Sequence, residues 1–214
     1  MNNNYKYKVA EILLNIESVK FSFDKPFTLT SGLKSPVYVD CRKIISYVEE
    51  RSIIINYSIE YFKINKIEFD ILAGGETAGI PYAAFFSEIL KKPMIYIRKK
   101  PKGFGKNQQI EGDYNLNKKA ILIEDLATDG GSKVLFIKAL KEARIKITDI
   151  FVIFYYDIFD ISKTPLGSFD VKIHSLCTWN DIIEVIKKKD LYSEQQIKNL
   201  ESFLHNPDKW RAEL

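Results

Sequence analysis

The chain has 214 residues, of which 46% are hydrophobic and 28% charged, with a net charge of +4 at pH 7. That is the composition of an ordinary soluble globular protein, with room for one well-filled core. The near-balance of charge excludes a general nucleic-acid surface, and no segment approaches the roughly 18 to 20 apolar residues that span a bilayer.

The opening Met1-Asn2-Asn3-Asn4-Tyr5-Lys6 lacks the apolar core of a signal peptide, so a cytoplasmic location is expected. Val9, Ile12, Leu13 and Ile16 recur at helical spacing and predict a helix over residues 5–19. An extended segment, Phe27 to Asp40, follows, with Ser31-Gly32 and Ser35-Pro36 as breakers, and reads as a hairpin or flap. Glu49 to Lys63 is helical again. From there strand and helix alternate: strand Phe69–Ala73, helix Ile80–Leu90, strands Pro93–Arg98 and Ala120–Leu126, helix Lys133–Arg144, strands Ile150–Phe154 and Val171–Leu176. Asp181 to Leu214 reads as two helices, with Leu191, Ile197, Leu200, Phe203 and Leu204 as packing residues.

Such alternation implies an α/β fold, a mostly parallel twisted sheet flanked by helices. One domain over 1–214 is expected, with an N-terminal helix and flap in 1–45, an α/β core in 66–176 and C-terminal helices in 177–214. Cys41 and Cys177 form no Cys-x-x-Cys pair and read as packed thiols in a reducing compartment. His174 and His205 have no partners at metal-ligand spacing.

Ligands of open α/β sheets lie beyond the C-terminal strand ends. Two turns fall there. In the first, the apolar strand Ala120–Ile123 runs into Glu124 and Asp125, passes Leu126-Ala127-Thr128-Asp129-Gly130-Gly131-Ser132 and enters a helix. Glycines admit an anion close to the backbone, and the helix start presents unpaired N–H groups and a positive dipole end. Two carboxylates beside such a cradle suit a ligand that also presents hydroxyls or a divalent cation, such as a ribose phosphate. The second, Gly74-Gly75-Glu76-Thr77-Ala78-Gly79, is either a tight turn or a second anion site that could receive a pyrophosphate. Between Arg98 and Asp113 lies a long basic connection, Lys99-Lys100-Pro101-Lys102-Gly103-Phe104-Gly105-Lys106, which is either a solvated hairpin or a lid.

The acidic-glycine turn resembles the phosphoribosyl pyrophosphate (PRPP) signature of the type I phosphoribosyltransferases. It lacks the Lys-Ser/Thr ending of a P-loop and the Gly-x-Gly-x-x-Gly of a dinucleotide fold. Together with the run Phe27–Lys43, the turn Gly74–Pro81 and the loop Ile97–Lys106, it follows the order found in the orotate branch of that family. The resemblance implies transfer of ribose 5-phosphate from PRPP to N1 of orotate with Mg²⁺, in pyrimidine synthesis, by a homodimer whose basic lid reaches the neighbouring subunit. It implies that Leu126, Ala127, Thr128, Asp129, Gly130, Gly131 and Ser132 cradle the 5′-phosphate, and that Glu124 and Asp125 meet the ribose hydroxyls. Arg98, Lys99 and Lys102 would bind pyrophosphate, Lys102 stabilising the leaving group. Mg²⁺ would be held by ligand oxygens and water, with no all-protein metal site, and neither nucleic acid nor membrane is implied as a partner.

Tyr38 falls where the family places a ring against orotate, with Thr128 as a hydrogen-bonding neighbour; equally, Tyr38 reads as a core-facing strand residue. Three positions depart from the pattern: Thr30 stands where some members have Lys, Phe104 where some have His, and Tyr155-Tyr156-Asp157 where many have an arginine for the orotate carboxylate. Lys34 or Arg42 could substitute for that arginine. A phosphoribosyltransferase for another base, and a PRPP-sensing regulator without turnover, are the alternatives.

Overall fold

The computed structural model describes residues 4–28, 32, 34–101, 109–116, 118–207 and 209–210. Helix α1 (Asn4–Asn15) buries Val9, Ala10, Ile12 and Leu13. It stops short of the predicted 19 because Glu17 takes a left-handed φ of 53° and the Ser18 N–H donates to Leu13 O at 2.8 Å, turning the chain into a strand that periodicity alone hides. That strand, β1 (Val19–Phe21), pairs antiparallel with β4 (Val37–Val39), while β2 (Phe27–Thr28) pairs with β3 (Lys34–Ser35), so the flap is two small hairpin ladders. A 3-10 turn, Cys41–Ser46, leads into α2 (Val48–Ile64).

The core alternates β5 (Ile71–Gly75), α3 (Gly79–Leu90), β6 (Met94–Ile97), β7 (Ile110–Glu111), β8 (Lys119–Ala127), α4 (Gly131–Glu142), β9 (Lys146–Tyr155) and β10 (Lys172–Thr178), followed by α5 (Trp179–Lys188) and α6 (Glu194–His205). The six strands are ordered β10-β9-β8-β5-β6-β7, and every pairing but β6 with β7 is parallel. Parallel strands covered on both faces read as continuous apolar runs. Ile121 and Ile123 of β8 accordingly join the α1, α2, α3 and α5 side, while Ala120 and Leu122 join the α4 side. On the first side Phe62 meets Phe151 at 4.7 Å and Phe86 at 5.5 Å between ring centroids, both edge to face, the geometry aromatic quadrupoles favour.

β9 begins four residues before the predicted start. Its first turns carry polar side chains that are satisfied across the sheet: Asp149 takes His174 Nε2 at 2.8 Å and Lys119 Nζ at 3.1 Å. His174 is thus packed, with Tyr61 OH 3.3 Å from its Nδ1. The two C-terminal helices open with capping boxes, Thr178 with Asp181 and Ser193 with Gln196. Leu200, Phe203 and Leu204 are buried as expected, whereas Leu191 is 47% exposed, a correction: it sits between the two helices, outside their apolar stripes. Cys41 and Cys177 are free and buried. Among the described residues no helix is long and apolar enough to cross a membrane.

Candidate active site

The C-terminal ends of β5, β6 and β8 open on one cleft of about 270 Å³, lined by Val39, Asp40, Arg42, Glu76, Thr77, Ala78, Lys99, Glu124, Asp125, Leu126, Ser132 and Phe136. Of the residues implicated by sequence, Lys99, Glu124, Asp125, Leu126 and Ser132 meet here. Arg98 does not: its side chain turns to Glu111 of the adjoining strand, Nη1 to Oε1 3.8 Å. Lys102 and Phe104, like Thr30, lie outside the described residues.

Glu124 is the most constrained of the set, 6% exposed. Burial pushes its carboxyl up to about 7 and Asp125 adds to the rise, while Lys133 and Lys99 oppose it. Burial also raises Asp125. Lys133, which sequence reasoning passed over as part of an amphipathic helix, is itself 6% exposed. Its Nζ lies 3.3 Å from Glu124 Oε2, donates to Leu126 O at 2.6 Å and to Ser132 Oγ at 3.1 Å. A lysine in the first turn of a helix, directly after a glycine turn and seven residues beyond a strand carbonyl, was the available signal.

The second glycine turn makes room for Glu124. A Cβ on Gly75 would come within 2.2 Å of Glu124 Oε1 and 2.7 Å of Phe136, and one on Gly79 within 2.1 Å of Ile123 O. Those two glycines let α3 press against β8 and leave a seat for the carboxylate. The turn is fastened to β6, with Glu76 N–H donating to Ile97 O at 2.9 Å and Lys99 N–H donating to Glu76 Oε2 at 2.6 Å; the Glu76–Thr77 peptide is cis.

In the first turn Gly130 adopts φ 78°, and a side chain there would strike Leu166. Asp129 Oδ1 accepts from Gly131 N–H at 3.0 Å and from Thr128 Oγ1 at 3.2 Å, an Asx turn that shapes the helix start. Ala127 is buried beneath the turn, while Thr128 and Asp129 face outward.

On the flap side, Tyr38 is the outward residue of β4, 38% exposed, which decides against the core-facing reading. It stands beside the cleft, its ring 5.8 Å from Phe27 and its hydroxyl 3.4 Å from Arg42 Nη2. Arg42 is held by Asp40 through Nε at 2.6 Å and Nη2 at 2.9 Å, which lowers the Asp40 carboxyl and raises the guanidinium. Lys34, the other flap cation, is occupied with Thr28 Oγ1 at 2.8 Å and does not reach the cleft. The 3-10 turn carrying Arg42 is tied to the core by Tyr82 OH, which donates to Cys41 O at 2.6 Å.

No protein-family model matches the chain. A curated relative from Roseobacter denitrificans, named orotate phosphoribosyltransferase, is 46% identical over 204 residues, 94% of this chain and 91% of its own length. The chain belongs to the orotate phosphoribosyltransferase family. Solved structures agree on the fold. UMP synthase of Leishmania donovani matches with a TM-score of 0.74 and 27% identity over 93% of this chain, which spans 42% of that longer protein. Orotate phosphoribosyltransferase of Aeropyrum pernix gives 0.72 and 24% identity, covering 86% of this chain and 99% of the other. The fold of this orotate phosphoribosyltransferase family member is therefore that of the type I phosphoribosyltransferases.

Proposed function

We infer that this chain transfers the 5-phosphoribosyl group from PRPP to N1 of orotate, releasing pyrophosphate and forming orotidine 5′-monophosphate for UMP synthesis. The observation that carries the reading is the convergence of Glu124 and Asp125 with Leu126 and Ser132, the two ends of the glycine turn, in one cleft, in a chain 46% identical to a curated orotate phosphoribosyltransferase.

The chemistry follows from charge. As the C1–O bond loosens, pyrophosphate departs with the bonding pair, the ribose acquires positive charge, and N1 of the base bonds from the opposite face and loses its proton. Positioning and electrostatic stabilisation are what the protein contributes. Glu124 and Asp125 take the ribose hydroxyls and favour the developing cation. The amides and hydroxyls from Leu126 to Ser132 hold the 5′-phosphate, which displaces Asp129 from the Gly131 amide. Lys99 and Arg98, the latter swinging from Glu111, meet pyrophosphate together with Lys102. Among the described residues no three His, Cys, Asp or Glu come together to hold a metal ion. Mg²⁺, when bound, would be held by pyrophosphate, ribose oxygens and water and would supply neutralisation of the leaving group.

For the base, Arg42 is the cation beside Tyr38 and takes the place of the arginine expected near Tyr155 to Asp157, where Tyr156 instead packs on Trp179 at 5.4 Å. Arg42 offers the orotate carboxylate the Nη1 edge that Asp40 leaves free. The active form is a homodimer with the Lys102 loop shared between subunits, and the residues work as one domain in the cytoplasm. A panel of orotate, uracil, adenine, guanine, xanthine and hypoxanthine, assayed with PRPP and Mg²⁺, tests the reading: turnover of orotate is expected, and turnover of another base instead would replace it.

A further inference from the structure

We propose that Lys133 is a positioning residue for the reaction, acting through Glu124: its ammonium fixes the carboxylate at the cleft wall and supplies the counter-charge under which it meets the ribose. This rests on the reading that a phosphoribosyl donor lies against Glu124 and Asp125.

The geometry points to more than a structural tie. An ammonium that only fastened α4 to β8 would be served by the Leu126 carbonyl at 2.6 Å and the Ser132 hydroxyl at 3.1 Å. It is also 3.3 Å from Glu124 Oε2, and both side chains are more than nine-tenths buried. Each of its three contacts belongs to the cradle: the strand end, the first helical turn and the ribose carboxylate. One cation thus sets the spacing of the phosphate turn against the sugar site. The other carboxylate oxygen, Glu124 Oε1, is buried between Gly75 and Gly79 with no hydrogen-bond partner among the described residues. Lys133 is therefore the only polar side-chain partner that Glu124 has within the described protein.

Burial of that kind favours the neutral acid, which offers no field to a sugar cation. The charges that face Glu124 are Lys133 from α4, Lys99 from the β6 end and Asp125 beside it, and Lys133 is the largest of the opposing influences. Removing it tips the balance toward protonation near neutral pH.

The experiment uses K133M, K133Q and E124Q/K133M in the full chain. K133Q keeps a donor for Leu126 O without the charge, and the double variant removes both members of the buried pair, which avoids an orphaned charge. Two readouts are taken. The first is the acid limb of kcat/KM for PRPP against pH; the second is the carboxyl titration of Glu124 followed by ¹³C NMR in the ligand-free protein. An opposite charge at this range shifts a carboxylate by about 1 to 3 pH units. In K133M and K133Q both midpoints are expected to move up by at least about one unit, and the limb to vanish in E124Q/K133M. Unmoved midpoints in K133Q, with only kcat or thermal stability reduced, would make Lys133 a structural tie and overturn the proposal. The NMR titration needs neither base nor turnover, so failure of the orotate reading in the base panel stays distinct from failure here.

Discussion

The two walls of the cleft are built in opposite ways. The β8–α4 wall is interior: Glu124 and Lys133 are each 6% exposed, backed by Phe136 and by glycines with no room for a side chain. The flap wall is surface. Tyr38 is 38% exposed, the Arg42 side chain 60%, and the strands behind them are two or three residues long. On the function proposed above, the buried wall would handle the part of the reaction that every phosphoribosyl transfer shares, where charge must be met by preorganised groups in low dielectric. On the same proposal the exposed wall would meet the base, through Tyr38 of β4 and Arg42 of the 3-10 turn.

The largest effect is expected from Lys102, proposed above as a cation that meets the departing pyrophosphate. Lys102→Ala should lower kcat at least about a hundredfold, the scale of one lost electrostatic stabiliser of a leaving group. Steady-state kinetics with PRPP and orotate check it, and a wild-type rate would return pyrophosphate stabilisation to Lys99 and Arg98.

Gly75→Ala tests whether the interior wall is as rigid as its packing implies. The added methyl would come within 2.2 Å of Glu124 Oε1 and 2.7 Å of Phe136, so one of the two must shift. Overpacking of this kind costs about 1 to 3 kcal/mol in stability. Denaturant unfolding measures that, and because the carboxylate is what gives way, kcat/KM for PRPP should fall about tenfold or more, at about 1.4 kcal/mol per decade. Full activity with lost stability would show that Glu124 relocates without consequence.

Arg42→Ala probes the exposed wall. A charge-assisted hydrogen bond contributes about 1.5 to 3 kcal/mol, so KM for orotate should rise about tenfold or more while KM for PRPP stays within about twofold. Equal rises in both would move Arg42 from base recognition to pyrophosphate. Tyr38→Ala in parallel separates the ring's contribution from its hydrogen bond to the guanidinium.

How far each wall could be read from sequence follows the same division. The buried wall announced itself because a parallel strand covered on both faces is an unbroken apolar run, so the entry of Glu124-Asp125 and a Gly-Gly turn stood out against it. What escaped notice there was Lys133, since a lysine in an amphipathic helix ordinarily faces water and nothing local says that it folds back over Leu126 and Glu124. The start of β9 was missed where Asp149 is satisfied by His174 and Lys119, partners far along the chain. On the flap, breakers marked hairpins, but β1 is three residues straddling the end of the predicted helix and carries too short a pattern to read, and the turn holding Arg42 is tied by a contact with α3 that is 41 residues away in sequence.

That contact yields the smallest and most discriminating test. Tyr82 is fully buried on α3, just after the second glycine turn, and its hydroxyl donates to Cys41 O at 2.6 Å, one residue before Arg42. Tyr82→Phe removes the hydroxyl without opening a cavity, leaving a buried carbonyl without that donor at a cost of about 1 to 3 kcal/mol. If the flap is held only by its own short ladders, the loss appears in stability alone, and KM for both substrates is unchanged. If Tyr82 is what registers the exposed wall against the interior one, KM for orotate rises a few-fold, roughly the factor that 1 kcal/mol sets, while KM for PRPP does not move. The second pattern is expected, because the bond joins α3 to the backbone that carries Arg42.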